Sequence, residues 1–325
     1  MNPGSHPRTR SRSTGSCVKA DMRRRCSSLA LNSALALGAG LLLSVANSKA
    51  AEGTPIPHGT LELVAEHQSI TAGHTIHLGL HFQLEKGWHI YWVNPGDSGE
   101  PPRLKWRLPP GASVGEVAWP TPRRLGTSTI VDFGYEDDVM LIVPMHAAAS
   151  MATQGLAQVG AEVKVLVCRE MCIPGKAQVS LTLPVKSQAP VPDARNADLF
   201  ATARKALPRA APASWRISVT EAKDSFLLSA NLGRNVPQVE FFPAAESQIQ
   251  DAAPQQFIAM AGGFRLTLRK SDQLLKPIER LKGVLVLAGD RGYVIDVPVT
   301  KVVAVRRDVG DGINPADSLK EVMLK

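Results

Sequence analysis

Hydrophobic and polar residues alternate along much of the chain between residues 60 and 185. Alternation with a period of two is typical of strands that bury one face, and Gly, Pro, Asp and Asn clusters such as 94–97 separate the alternating runs. About seven short strands within about 125 residues predict a β-sandwich. The predicted strands are 60–66, 75–84, 88–93, 104–108, 139–144, 161–167 and 178–184.

The same pattern returns after a segment rich in Ala and Pro. Residues 187–213 are predicted to be a linker that carries one short helix at about 193–207. Residues 214–305 are then expected to form a second, smaller sandwich, and 306–325 a polar tail. The predicted strands of the second block are 215–220, 225–231, 239–242, 264–269, 283–288 and 293–298. The fold class is thus all-β, with two sandwiches joined by a linker.

The N-terminal residues 1–50 have the composition of an export signal with an over-long start. Arg23, Arg24 and Arg25 precede an apolar stretch over 29–45, and the small residues Ser48 and Ala50 then stand at −3 and −1 of a cleavage site. The apolar stretch is shorter than the ~20 residues that a spanning helix needs. We therefore expect a cleavable signal peptide, a mature domain starting at residue 51, a periplasmic location and no stable membrane span.

The net charge of the chain is confined to this segment. Removing the eight bases and one acid of residues 1–50 from the 37 bases and 29 acids of the whole chain leaves 29 and 28. A near-neutral remainder offers no basic surface for phosphate groups. We therefore expect no nucleic-acid partner.

Two of the four cysteines would remain after export, because Cys17 and Cys26 lie in the signal segment. Cys168 and Cys172 are four apart, which on one straight strand is ~13 Å, so they can bond only if the chain turns between them. Residues 173–175, Ile-Pro-Gly, fit the hairpin loop that would fold the chain back. A disulfide loop this short constrains the unfolded chain little, which favours exchange chemistry over a structural staple. The spacing leaves three uses open: a passive disulfide, redox exchange and a metal site.

Histidines give the metal alternative little support. His77 and His81 lie on the predicted strand 75–84, on the face opposite Ile76 and Leu78. They would be ~13 Å apart along that strand, so we expect them on a solvent face. No metal or cofactor is predicted. A zinc site at Cys168 and Cys172 would need two further ligands, although a thiolate pair alone would suit Cu(I).

Several motifs in chain order resemble the N-terminal domain of the DsbD thiol:disulfide interchange protein family, in its ScsB-like branch (suppressor of copper sensitivity). The motifs are 167–175 (VCREMCIPG), 87–99 (GWHIYWVNPGDSG), 119–122 (WPTP), 133–136 (FGYE), 239–243 (VEFFP) and 252–255 (AAPQ). Together they extend the resemblance over nearly all of residues 55–305.

The resemblance implies an immunoglobulin-like sandwich and a protein-disulfide reductase. Its cysteine pair would receive electrons from a membrane domain by way of a thioredoxin-like domain and reduce disulfides of periplasmic partners. The partner-facing sulfur would be that of Cys172. Because this chain stops at Lys325, either the membrane electron-transfer protein is separate, as we expect, or the chain has another electron source. The expected partners are periplasmic thioredoxin-like proteins. A copper-tolerance role and a passive adaptor role remain the alternatives.

The neighbours of the pair follow from the same motifs. Tyr91 lies on the strand face opposite Trp88 and Trp92, so it is expected at the site while the tryptophans form core. Arg169 could favour a thiolate, and Glu170 would oppose it. The resemblance places a cap loop with aromatic residues over the pair, and the stretch from Trp119 to Tyr135 corresponds to it. The remaining candidate neighbours are Pro174, Trp119, Phe133 and Tyr135.

Overall fold

The computed structural model describes residues 53–126, 129–288 and 291–301. The predicted signal segment 1–50 and tail 306–325, with Cys17 and Cys26, lie outside these residues. Within them the chain forms twenty strands and one helix, numbered in chain order. The fold-class prediction is confirmed: the described chain is almost entirely β, with sheets packed as sandwiches.

Two sheets form the first sandwich. One has the order β1-β2-β4-β10-β7, and the other has the order β3-β12-β11-β5-β9-β8 with β6 beside β11. The strands are β1 Thr54–Ile56, β2 Gly59–Ala65, β3 Ile70–Thr71, β4 Thr75–Leu84, β5 His89–Gly96, β6 Arg103–Arg107, β7 Ala112–Val114, β8 Arg123–Gly126, β9 Val131–Glu136, β10 Asp138–Ala147, β11 Leu156–Cys168 and β12 Cys172–Lys186.

Period-two alternation sorts the side chains of this sandwich. On β11, Val163, Val165 and Val167 are buried in the core between the sheets, whereas Lys164 is exposed on the outer face. On β5, Ile90 and Trp92 enter the same core. Burial of these large apolar groups is the main stabilising term of such a sandwich. The face of the second sheet that points away from this core carries the cysteine pair.

A helix covers the outer face of the other sheet. The helix α1, Ala197–Ala206, buries Phe200 and Ala203 against Met140 and Ile142 of β10 in a separate small cluster. The expected solvent position of His81 on this face is therefore wrong. His81 is 7 % exposed and its Nε2 lies 2.9 Å from Asp138 Oδ2, because tertiary packing covers a face that the strand pattern alone leaves open. His77 is only partly buried and contacts Glu66 at 2.9 Å.

The second sandwich is one sheet that folds on itself. Its order is β16-β19-β20-β14-β15-β18-β17, with β13 beside β20. The early residues of β20 pair with β19, and its last residues, Val299 to Lys301, pair in parallel with β14, so one long strand joins both layers. The strands are β13 Arg209–Ala210, β14 Arg216–Glu221, β15 Ser225–Asn231, β16 Val239–Pro243, β17 Gln256–Met260, β18 Gly263–Arg269, β19 Arg280–Leu287 and β20 Arg291–Lys301.

The two sandwiches share an interface. Phe241 of β16 is buried in the second core, but the next residue, Phe242, belongs to the first core, where its ring centroid lies 5.1 Å from that of Phe133. Asn94 Nδ2 donates to Pro243 O at 2.8 Å, and Arg124 Nε donates to Glu240 Oε1 at 2.6 Å. The strand β16 is thus buried on both faces. The domain bounds 51–186 and 214–305 remain a prediction.

In the described part of the chain, no helix is both long and apolar enough to span a membrane.

Candidate functional site

The cysteine pair closes the longest hairpin among the described residues. The strand β11 pairs with β12 along its whole length, and Cys168 opposite Cys172 is the last pair before the turn. The two residues form a disulfide with their Cα atoms 4.1 Å apart. The turn consists of Arg169, Glu170 and Met171, whereas residues 173–175 belong to β12. The predicted loop at 173–175 is therefore wrong: the register of the hairpin puts the turn between the cysteines.

The two sulfur-bearing residues differ in exposure. Cys168 is 2 % exposed and Cys172 is exposed. Met171, next to Cys172 in the turn, is 67 % exposed. A reagent that arrives from solvent therefore meets the Cys172 side of the bond first.

Strand register brings β5 to the disulfide. Cys168 pairs with His89, and alternation puts Tyr91 on the same outer face, while Trp88, Ile90 and Trp92 enter the core. The Tyr91 Oη atom lies 3.4 Å from Cys172 Sγ, and the His89 and Tyr91 rings meet edge to face at 5.2 Å. Tyr91 is fully buried despite its outward direction.

A glycine makes room for the loop that covers Tyr91. Gly99 has φ +79°, and a Cβ added there would lie 2.1 Å from Tyr91 Cζ. Only glycine tolerates both that backbone conformation and that approach. The same loop is held to β9 by Asp97, whose Oδ2 accepts from the Val131 N–H at 2.8 Å. The segment 97–99 therefore shields the phenol from solvent.

A carboxylate of β9 lies behind the two rings. Asp132 Oδ1 accepts from the Ser98 hydroxyl at 2.7 Å, and its Oδ2 lies 3.8 Å from His89 Nε2. Both side chains are about nine-tenths buried, and Nε2 has no hydrogen-bond partner. At 3.8 Å the His89–Asp132 contact is an electrostatic one and not a hydrogen bond.

Burial shifts the proton affinities of this group. Burial lowers the pKa of His89, against the opposing charges of Asp132 and Glu136. Burial also raises the pKa of Asp132, although the Ser98 hydrogen bond opposes the rise. Burial and then the Asp132 charge raise the pKa of Tyr91, so its phenol keeps its proton near neutral pH.

Aromatic stacking fixes one side of the disulfide turn. The Arg169 guanidinium lies 5.0 Å from the centre of the Trp88 ring, and His58 stacks on the same tryptophan at 3.6 Å. Glu170 is exposed in the turn. Pro174 is exposed on β12 opposite Leu166, where it lines a cleft of about 390 Å³.

Three of the expected neighbours lie elsewhere. Phe133 and Tyr135 are buried in the first core, since they alternate with Asp132 and Gly134 on β9. The Tyr135 hydroxyl donates to Pro120 O at 2.8 Å, and Trp119 is partly buried against the same core. The structure therefore brings Tyr91, Arg169 and Glu170 to the hairpin end but leaves Trp119, Phe133 and Tyr135 in the core.

The sequence reasoning missed His89, Ser98 and Asp132. A signal for His89 existed, because it shares the strand face of Tyr91 at a spacing of two. Asp132 gave none, since the stretch from Trp119 to Tyr135 was expected to be a cap loop and not a strand. Across the described residues, no three His, Cys, Asp or Glu side chains form a cluster that could hold a metal ion.

Residues 60–184 match the family described as the thiol:disulfide interchange protein DsbD, N-terminal. The predicted family resemblance is thereby confirmed for this segment. The crystal structure of the N-terminal periplasmic domain of ScsB from Proteus mirabilis aligns with a TM-score of 0.56 at 16 % identity, covering 75 % of this chain and 94 % of that one. At that identity the alignment shows a shared fold.

The periplasmic chaperone SfaE aligns at 9 % identity with a TM-score of 0.20, covering 74 % of this chain and 99 % of that one. With so low a TM-score, this alignment supports no conclusion about the chain. No curated protein sequence matches the chain.

Proposed function

We propose, from the premise that residues 60–184 are a domain of the DsbD N-terminal family, that this chain is a periplasmic protein-disulfide reductase. It passes reducing equivalents to disulfides of partner proteins through Cys168 and Cys172. The thioredoxin-like partners and the separate membrane electron donor expected from the sequence belong to the same proposal.

The observation that carries the proposal is the asymmetric exposure of the disulfide. It lies at the free end of a hairpin, with Cys172 exposed and Cys168 buried. Thiol–disulfide exchange needs one sulfur that another protein can reach and a second that resolves the mixed disulfide. A purely structural disulfide has no need of this division.

The reaction moves two electrons. In the dithiol form, the Cys172 thiolate attacks one sulfur of a partner disulfide, which breaks that bond and releases the other partner sulfur as a thiolate. Cys168, once deprotonated, attacks Cys172 Sγ, closes the Cys168–Cys172 disulfide and releases the second partner thiolate. The chain is oxidised, the partner is reduced, and two protons pass from the cysteines to the partner thiolates.

The surface beside the hairpin leaves space for a partner segment. The cleft of about 390 Å³ is lined by Pro174, Lys164 and Arg103, among others. Pro174 pairs with Leu166 two residues from each cysteine, so the cleft begins on the face that carries the disulfide. A partner seated there would place its sulfur near Cys172.

Trapping of the mixed disulfide tests the proposal. The exported Cys168→Ser variant should accumulate a covalent complex with a periplasmic thioredoxin-like protein, because nothing resolves the bond at Cys172. The Cys172→Ser variant should trap little, since Cys168 is buried. A non-reducing gel of acid-quenched periplasmic extract, with mass spectrometry of the complex, makes the measurement.

The Cys168→Ser/Cys172→Ser double variant is the matched control and should form no complex. If neither single variant traps a partner and both lose Cu(I) binding, the copper-handling alternative replaces the exchange proposal. A reduction potential below about −300 mV, without trapping, would indicate a passive disulfide.

A further inference from the structure

A path of polar groups leads to Cys168 on the outer face of the sheet, beside the Tyr91 phenol, which lies 3.4 Å from Cys172 Sγ. The path starts at the Ser98 hydroxyl. Ser98 donates to Asp132 at 2.7 Å. The path ends at His89, 3.8 Å from Asp132 and paired with Cys168 across the strands.

The last contact of this path is incomplete in the disulfide form. His89 Nε2 is buried and has no hydrogen-bond partner, although Asp132 Oδ2 is only 3.8 Å away. An unpaired buried polar atom destabilises the folded state, because it loses its hydrogen bonds to water. Native structures contain few such unpaired atoms, so each one requires an explanation.

The exchange chemistry supplies a reason. Reduction of the disulfide at Cys172 expels Cys168 as a thiolate where the residue is 2 % exposed. A charge in so buried a position is unfavourable unless it is neutralised. In the opposite direction, Cys168 must lose its proton before it can attack Cys172.

We propose that Asp132 and His89, with the Ser98 hydroxyl bound to Asp132, form a proton relay that serves Cys168. The inference rests on the proposed exchange function and deepens it. Ser98 and Asp132 are positioning residues that act through His89, which is paired with Cys168, whereas Tyr91 lies outside the relay, beside Cys172.

The step is balanced with a dithiol such as dithiothreitol as the reductant. Its thiolate attacks Cys172 Sγ, the Cys168–Cys172 bond breaks, and the electron pair leaves on Cys168 Sγ, which takes a proton from the relay. The second thiol of dithiothreitol then closes its own disulfide and expels Cys172. Dithiothreitol is oxidised by two electrons, and solvent restores the proton of the relay.

The charged groups around His89 fit this role. Asp132 and Glu136 face it from β9, Tyr91 lies beside it on β5, and Cys168 lies opposite on β11; Asp97 acts on Asp132 from the covering loop. Burial lowers the pKa of His89 and raises that of Asp132, so the two proton affinities approach each other. Groups with similar affinities can exchange a proton at little cost.

The test is the pH dependence of disulfide reduction in the full chain. Excess dithiothreitol reduces the protein under single-turnover conditions from pH 5.5 to 9, tryptophan fluorescence reports the rate, and each rate is divided by the concentration of dithiothreitol thiolate. The normalised rate should rise towards low pH with an inflection. Asp132→Asn should lose the inflection and react about a hundredfold more slowly at pH 6, the lower end of the usual effect of acid–base catalysis.

Glu136→Gln is the matched control, because it removes the same charge from the same face of β9 without breaking the path. It should keep the inflection. Ser98→Ala breaks the path without changing charge and should behave like Asp132→Asn, which keeps the test decisive if the latter fails to fold.

An unchanged profile in both Asp132→Asn and Ser98→Ala would overturn the relay. So would an equal loss in Glu136→Gln, which would indicate a general electrostatic effect, or a wild-type profile without inflection. The assay needs no partner protein, so its outcome is independent of the trapping experiment: a chain that traps nothing can still show the relay, and a chain that traps partners can lack it.

Discussion

At the scale of single residues, Asp251 is a buried carboxyl group beside the interface of the sandwiches. It is 5 % exposed and its Oδ1 has no hydrogen-bond partner, while its backbone carbonyl accepts from Arg124 Nη1 at 2.7 Å. Burial, then the charge of Asp97, raises its pKa to about 7, and Arg124 opposes the rise. The folded protein is therefore more stable with Asp251 neutral than with Asp251 charged.

The pH dependence of stability follows from this shift. Because the folded pKa lies above the unfolded value, the contribution of Asp251 is complete below about pH 4 and is lost as pH rises to about 7. About three pKa units correspond to at most about 4 kcal/mol. Asp251→Asn should lose this dependence, so its free energy of unfolding should exceed that of the wild type by up to that amount at pH 8.

Urea titrations at pH 5 and pH 8 measure the effect. Asp224→Asn, which changes an exposed carboxylate of the same sandwich, is the control and should follow the wild type at both values. If the free energy of unfolding changed equally with pH in the wild type and in Asp251→Asn, Asp251 would be ionised in the folded protein.

At the scale of elements, the helix α1 protects a sheet face that strand alternation would leave to solvent. Phe200 is 1 % exposed and packs on Val64, Met140 and Ile142. The Arg204 guanidinium also pairs with the Glu66 carboxylate of the segment after β2. The helix between the sandwiches thus packs on the first one.

Truncation of Phe200 should lower the stability of the protein without affecting thiol–disulfide exchange. We expect Phe200→Ala to lower the free energy of unfolding by about 3–5 kcal/mol, the usual cost of removing a buried phenylalanine. The exposed Lys205→Ala on the same helix should change it by less than about 0.5 kcal/mol. Urea unfolding measures both. A loss of dithiothreitol reduction rate in folded Phe200→Ala would contradict the prediction, since the disulfide lies on the other sheet.

At the scale of the whole molecule, β16 couples the two cores because its side chains alternate between them. Phe241 lies in the second core, and Phe242 lies against Trp92 and Phe133 in the first, with ring centroids 6.4 Å and 5.1 Å apart. Two adjacent phenylalanines thus report on different cores, and they form a matched pair of probes.

Phe242→Ala should loosen the first sandwich as well as the joint, because its ring fills the first core. Hydrogen exchange measured by mass spectrometry should then rise in β5 and β9. Phe241→Ala should instead raise exchange in β15 and β18. The same exchange pattern in both variants would show that the cores unfold as one unit and that the alternation of β16 has no separate effect.

The sequence by itself determined the class of fold, many of the strands and the resemblance of residues 60–184 to the DsbD N-terminal family. Period-two runs can be recognised without tertiary information, because each run reflects a strand with one buried face. The helix was predicted at 193–207 and observed at Ala197–Ala206, and the chain had to turn between Cys168 and Cys172 because no straight strand lets them bond.

Only the tertiary structure decided which side chains surround the cysteine pair. The burial of His81 depends on tertiary packing that includes its contact with Asp138 on β10, and the place of Asp132 depends on the pairing of β9 with β5. The position of the turn at Arg169 to Met171 follows from the register of β11 and β12. Sequence alternation specifies which face a residue occupies but not which distant residue shares it, because register is set by packing between strands.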